Sequence, residues 1–171
     1  VRLKESDLVE VGSVLLRVLG EGEEARTQWT PSHGASSSLR INARDILGRL
    51  EALARFSAAG PGVSRLAYDA AWCDAHRWLV REAEALGLAA TADWAGNLFF
   101  HDPALAPGRP DRPVLLVGSH LDSVMHGGRY DGAYGTIAGL LLAAANRSQP
   151  GLPVVGFVTG EEEGSRFHGG M

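Results

Sequence analysis

A single cysteine, Cys73, occurs in the 171 residues, which excludes an intrachain disulfide framework and fits a reducing, cytoplasmic setting. No apolar run approaches the ~20 residues of a transmembrane helix, so no membrane partner is expected. The first residues carry Arg2, Lys4, Glu5 and Asp7, unlike the apolar core of a signal peptide. Lysine is almost missing: the sixteen basic residues are all arginine except Lys4, and they are scattered. With a formal net charge of -4, the chain offers no basic stripe for a nucleic acid. What remains is ordinary for a globular protein, with 45% hydrophobic residues and length enough for one domain with a real core.

Two stretches concentrate the residue types that carry chemistry. Gly118-Ser-His-Leu-Asp-Ser123 is followed by Gly127-Gly-Arg-Tyr-Asp-Gly132, and Glu161-Glu-Glu-Gly-Ser-Arg-Phe167 lies further on. Each follows a short β-branched or aliphatic run, Val114–Val117 and Val154–Val158, that reads as a strand buried on both faces. Between them the Ala/Leu-rich segment 134–145 reads as a buried helix. Strand, helix, strand is a right-handed βαβ unit that sets both strand ends on one edge of a sheet, where ligands bind in open α/β folds. His120, Asp122 and the glutamates are thus expected to meet in space. Imidazole with carboxylates suits zinc, manganese or cobalt rather than calcium, and two such ions can together polarise a carbonyl and activate a water. Asp122, two residues past His120, is placed to hold the other ring N–H. The glycines around Asp131 allow a close backbone turn.

On these residues (His120-x-Asp122, the Gly-Gly-x-x-Asp-Gly of 127–132, and Glu162-Glu163) the chain resembles the M20-type dinuclear metallohydrolases. The longer spellings Gly-Ser-His-Leu-Asp-Ser and Glu-Glu-Gly-Ser-Arg-Phe are similar to the amidase (hydantoinase/carbamoylase) branch, with N-carbamoyl-L-amino acid hydrolases, allantoate amidohydrolases and β-ureidopropionases. The resemblance runs from about Leu39 to the last residue. It implies a three-layer αβα catalytic domain with a mixed sheet, of the phosphorylase/hydrolase-like zinc-peptidase type, and two divalent ions. His120 would bind one ion, Asp131 would bridge, Glu163 would bind the other, Glu162 would act as general base and Asp122 would orient His120. Arg65, His126 and Arg166 are candidate substrate contacts. The substrate implied is a small ureido compound, foremost an N-carbamoyl-L-amino acid, with allantoate, 3-ureidopropionate, an acyl-amino acid or a dipeptide as alternatives. The family also uses two further ligand histidines and an inserted lid and dimerisation domain, which gives a homodimer. None of these lies within 39–171, so the chain reads as the amino-terminal part of a longer enzyme, with an inactive truncated product as the rival from another class.

The rest of the chain frames these motifs. Leu8, Val11, Leu15 and Val18 recur at helical spacing, so an amphipathic helix is expected in an extension of residues 1–38 that ends in the linker 30–38. Asn42 is expected to cap a helix reaching Phe56, and Asp69–Leu86 to form a second helix closed by Gly87. Residues 59–66 read as a glycine-rich turn. Residues 88–94 and 97–101 read as a hairpin about Ala95-Gly96, and the proline-rich 103–113 as a surface connection. Cys73 and His76 read as packing and a surface histidine, and His101 as structural. Three glutamates in a row are also what a solvated charge run looks like, Asp-Gly is a common turn pair, and Arg65, His126 and Arg166 each have a plain structural or surface reading. Val154–Val158 is expected at an uncovered sheet edge, prone to aggregation.

Overall fold

A computed structural model describes the backbone of residues 8–11 and 14–17, and residues 41–105, 114–147, 149 and 153–160. Contacts divide the chain at residues 40 and 41. In the first unit, β1 (Leu8–Val11) and β2 (Val14–Arg17) pair antiparallel, with Val11 opposite Val14. The helix expected there is therefore a hairpin. Two Val/Leu-rich runs separated by Gly12-Ser13 carry the hairpin signal, and it outweighs four apolar residues whose spacing also fits a helix. The linker 30–38 lies outside the described residues.

In the second unit, Asn42 accepts from the Arg44 N–H and starts α1 (Ala43–Leu53), with Asp45 in the first turn. Asp69 caps α2 (Ala70–Ala85) by accepting from the Trp72 N–H at 2.7 Å, and Gly87 follows the helix at φ 76°. β3 (Ala89–Ala92) and β4 (Leu98–His101) form the expected hairpin. β5 (Leu115–His120), α3 (Ala133–Asn146) and β6 (Val154–Thr159) form the βαβ unit, with β5 and β6 parallel. The sheet is mixed, in the order β3-β4-β6-β5, because β4 runs antiparallel to β6. This is an α/β fold.

The strand order overturns two expectations. β6 is interior, between β4 and β5, and Val154, Val155 and Val158 are buried. The edge of the described sheet is β5, whose Leu115 and Leu116 are 43% and 38% exposed, so that strand is not buried on both faces. One core gathers α1, α2, α3 and one alternating set of strand residues, among them Leu98, Phe100, Val154 and Val158. The sheet and one helical layer of the αβα sandwich are thus built from described residues. Close packing of α3 on the sheet depends on small residues: a side chain at Gly139 would strike the Val117 carbonyl, and one at Gly156 would lie 2.8 Å from the Gly139 carbonyl. No helix among the described residues is long and apolar enough to cross a membrane.

His76 is not a surface residue. Its ring stacks on Trp72 at 3.6 Å between centroids, its Nδ1 lies 3.2 Å from the Trp72 carbonyl, and its Nε2 is buried. Burial lowers its pKa from 6.5 to about 4, against the pull of main-chain carbonyl bonding. The native ring therefore stays neutral where the unfolded ring takes a proton. Its contribution to stability is complete above pH 6.5 and is lost as pH falls from there to about 4. Replacing His76 by Gln is expected to remove up to about 3 kcal/mol of that acid sensitivity. Urea midpoints at pH 7 and pH 4.5 measure it, and an equally steep acid loss in H76Q would contradict it.

Candidate metal site

His120 is the last residue of β5 and pairs with Thr159 at the end of β6. Its side chain is nearly buried, and Nδ1 lies 2.9 Å from the main-chain carbonyl of Asp122. A carbonyl only accepts, so Nδ1 carries the proton and the lone pair of the neutral ring sits on Nε2. Nε2 faces the Asp131 carboxylate, with Oδ1 at 3.6 Å, and the Asp131 side chain is 75% exposed. Two ligands of one tetrahedral ion at bond lengths of ~2.0–2.2 Å stand ~3.4 Å apart, so the pair fits a shared cation of the zinc, manganese or cobalt type. The donor set is right for such an ion: one imidazole nitrogen and one carboxylate oxygen. Asp122 is fully buried, and its carboxylate Oδ1 stands 3.5 Å from Nδ1, farther than its own carbonyl. The shorter of these two Asp122 contacts to the ring is thus the one from its main chain.

Two residues of the α3 amino terminus also contact His120, one at the ring and one at the main chain. Gly132 starts the helix at φ 63°, and a side chain there would lie 2.5 Å from both Cε1 and Nδ1 of His120. Only glycine combines that backbone angle with that approach. Buried Thr136 donates to the His120 carbonyl at 3.2 Å. Sequence reasoning did not single out Thr136. Its signal is a lone hydroxyl on the buried face of an otherwise apolar helix, which has to spend its proton on a neighbour.

The loop after His120 is pinned by residues 63–66. The Arg65 N–H donates to Ser123 Oγ at 3.0 Å, the Ser123 N–H donates to the Arg65 carbonyl at 2.9 Å, and Val63 and Gly127 exchange main-chain bonds. Ser123 is buried, and its hydroxyl donates to the Val63 carbonyl at 3.1 Å. Arg65, a candidate substrate contact whose plain reading is a surface loop arginine, is sealed inside at 2% exposure, with its guanidinium bonded to the carbonyls of Leu121, Leu53 and Phe56. Desolvation lowers its pKa to about 10, opposed by Asp69 and Asp122, so it stays charged at neutral pH. His126 is exposed, with φ 58°; its N–H donates to Ser64 Oγ and its Nδ1 lies 3.0 Å from the Pro61 carbonyl. Its ring is therefore tied to the neighbouring turn.

Glu162, Glu163 and Arg166 lie outside the described residues, and among the described residues no group of three or more His, Cys, Asp or Glu gathers. Gly160, directly before the glutamates, lies beside Asp122: a side chain at Gly160 would stand 3.9 Å from Asp122 Oδ1.

Fold and site thus define a mixed-sheet α/β protein with an imidazole–carboxylate pair at the carboxyl end of a parallel strand pair. No protein-family model matches the chain. The allantoate amidohydrolase of Bacillus subtilis (strain 168) is 38% identical over 126 residues, 71% of this chain and 30% of that protein. The N-carbamoyl-L-amino-acid amidohydrolase of Paenarthrobacter aurescens is 35% identical over 135 residues, 77% of this chain and 32% of that protein. The crystal structure of a hydantoinase/carbamoylase family amidase from Burkholderia phymatum matches with a TM-score of 0.60 at 35% identity, over 76% of this chain and 31% of that one. The chain is a homologue of the hydantoinase/carbamoylase family amidases, and it spans about a third of the length of the relatives it matches.

Gly132→Ala is expected to push the His120 ring away from Asp131. Zinc affinity, followed by titration calorimetry, should fall ~10–100-fold, the range for outer-shell changes at metal sites. Unchanged affinity would show that the ring does not depend on the α3 amino terminus.

Proposed function

We propose that this chain is the amino-terminal part of a metal-dependent amidohydrolase that cleaves the carbamoyl C–N bond of an N-carbamoyl-L-amino acid. The observation that carries the reading is the 3.6 Å approach of His120 Nε2 to Asp131 Oδ1 at the end of β5. It stands at the sheet edge where β6 ends at Thr159, and Glu161–Glu163 follow two residues later in the sequence. The kinship with amidohydrolases supports the reaction class.

In this reading His120, Asp131 and Glu163 are the residues that would hold two divalent ions, with Asp131 as the carboxylate that would be shared between them. The ions, when bound, supply Lewis acidity that makes a water nucleophilic near neutral pH and polarises the carbamoyl carbonyl. Glu162 takes the proton from the attacking water on a carboxylate oxygen and returns it to the leaving nitrogen. The Asp122 carbonyl keeps the proton of His120 on Nδ1, so Nε2 stays available as a ligand. Hydrolysis takes one water into the ureido group and yields ammonia, carbon dioxide and the amino acid. The substrate is a small ureido compound, and the complete enzyme acts in the cytoplasm as a homodimer. Arg166 remains a candidate partner for an anionic group of the substrate.

The test is ammonia release by the complete polypeptide loaded with Mn²⁺, Co²⁺ or Zn²⁺, offered N-carbamoyl-L-amino acids and, in parallel, allantoate. Turnover of the carbamoyl substrates, lowered at least ~10²-fold in Glu162→Gln, is the expected result for a lost general base. Turnover of allantoate alone would move the substrate assignment. Full activity in E162Q would remove Glu162 from the mechanism.

A further inference from the structure

Arg65 presents an unusual expenditure of charge. A guanidinium exposed to only 2% satisfies three main-chain carbonyls on two separate elements. Nε donates to Leu121 O at 2.8 Å, while one terminal nitrogen donates to Leu53 O at 3.1 Å and Phe56 O at 2.9 Å. Leu53 is the last residue of α1, so its carbonyl belongs to the helix end that lacks intrahelical donors and carries the negative end of the dipole. Leu121 is the residue between His120 and Asp122. The main chain of the same arginine donates to Ser123 Oγ and accepts from the Ser123 N–H, one residue beyond Asp122. The loop that carries the His120 ligand and its orienting carbonyl is thus gripped on both sides of Asp122 by one residue, and through it fastened to the end of α1. Asp69, the cap of α2, and Asp122 both attract the cation.

We propose that Arg65 is a positioning residue for the metal site: it fixes the 121–123 loop to the end of α1, and thereby sets the direction of the His120 ring. This rests on the metal-site reading above but concerns a different residue and a different measurable. A positioning role differs from a substrate contact, which would show as a raised KM, and from general packing, which would weaken the whole fold evenly. The fork geometry is specific to arginine. Lysine retains the charge but donates from one point, and cannot span Leu121 O and the α1 end together.

The experiment compares the wild-type chain with Arg65→Lys and Ser123→Ala by amide hydrogen exchange without metal, and by titration with Zn²⁺. Ser123→Ala removes the hydroxyl that accepts from the Arg65 N–H and leaves the guanidinium and the Ser123 N–H to Arg65 carbonyl bond in place, so it serves even where the lysine variant folds poorly. The expected result is amide exchange at Leu121 and Ser123 accelerated at least ~10-fold, while the β4–β6 amides keep their protection. Zn²⁺ affinity falls ~10-fold or more in parallel. In the complete enzyme kcat falls while KM stays within about two-fold, the signature of lost positioning rather than lost substrate binding. Unchanged exchange in the 121–123 loop, or acceleration spread evenly over the sheet, would overturn the proposal. Because the exchange readout needs neither metal nor turnover, the predicted loop response together with no ammonia release by the complete, metal-loaded polypeptide would sink the amidohydrolase reading and leave the role of Arg65 standing.

Discussion

Parallel strands cannot be joined by a tight turn, so the pairing of β5 with β6 requires a crossover, and α3 provides it across the face of the sheet. From that constraint most of the site follows. The register sets His120 opposite Thr159, so the chain leaves both strands at the same edge. The start of α3 must return to that edge, which carries Asp131 and Gly132 back to the His120 ring. The fit is close because α3 meets the sheet through Gly139 and Gly156 rather than through side chains. A helix held farther out would carry Asp131 and Gly132 away from His120.

The His120 residue is then constrained by several neighbours at once. The carbonyl of Asp122 takes the Nδ1 proton, Thr136 holds the main chain, and Gly132 lies against the ring edge. Nε2 is left facing the carboxylate of Asp131. Most of these restraints come from main-chain groups and from a glycine, which have few conformations to lose.

Much of this was legible in the sequence, for identifiable reasons. The two β-branched runs and the Ala/Leu segment between them have the lengths of a βαβ unit, and the His-x-Asp and Asp-Gly spacings are short enough to survive any packing detail. The cap of α1 was equally plain, because Asn42 acts on a donor two residues away; Asp69, read as the first residue of the second helix, is its cap. What stayed hidden depends on contacts distant in sequence. No local pattern says that β4 pairs with β6 and leaves β5 at the edge. Arg65 reads as a loop arginine until the chain 56 residues later brings the Leu121 carbonyl to it. In the amino-terminal unit the failure was one of period: four apolar residues fit a helix as well as a short hairpin, and Gly12-Ser13 should have decided between them.

The central claim is that the His120 ring is the Nδ1–H tautomer with Nε2 directed at a shared cation. Long-range proton–nitrogen correlation spectra of the ¹⁵N-labelled chain at neutral pH test it directly, before and after addition of Zn²⁺. The predicted result is a protonated Nδ1 and a bare Nε2, with the Nε2 resonance moving on metal addition and moving less in Asp131→Asn. An Nε2–H tautomer, or a ring whose nitrogens ignore the metal, would contradict it.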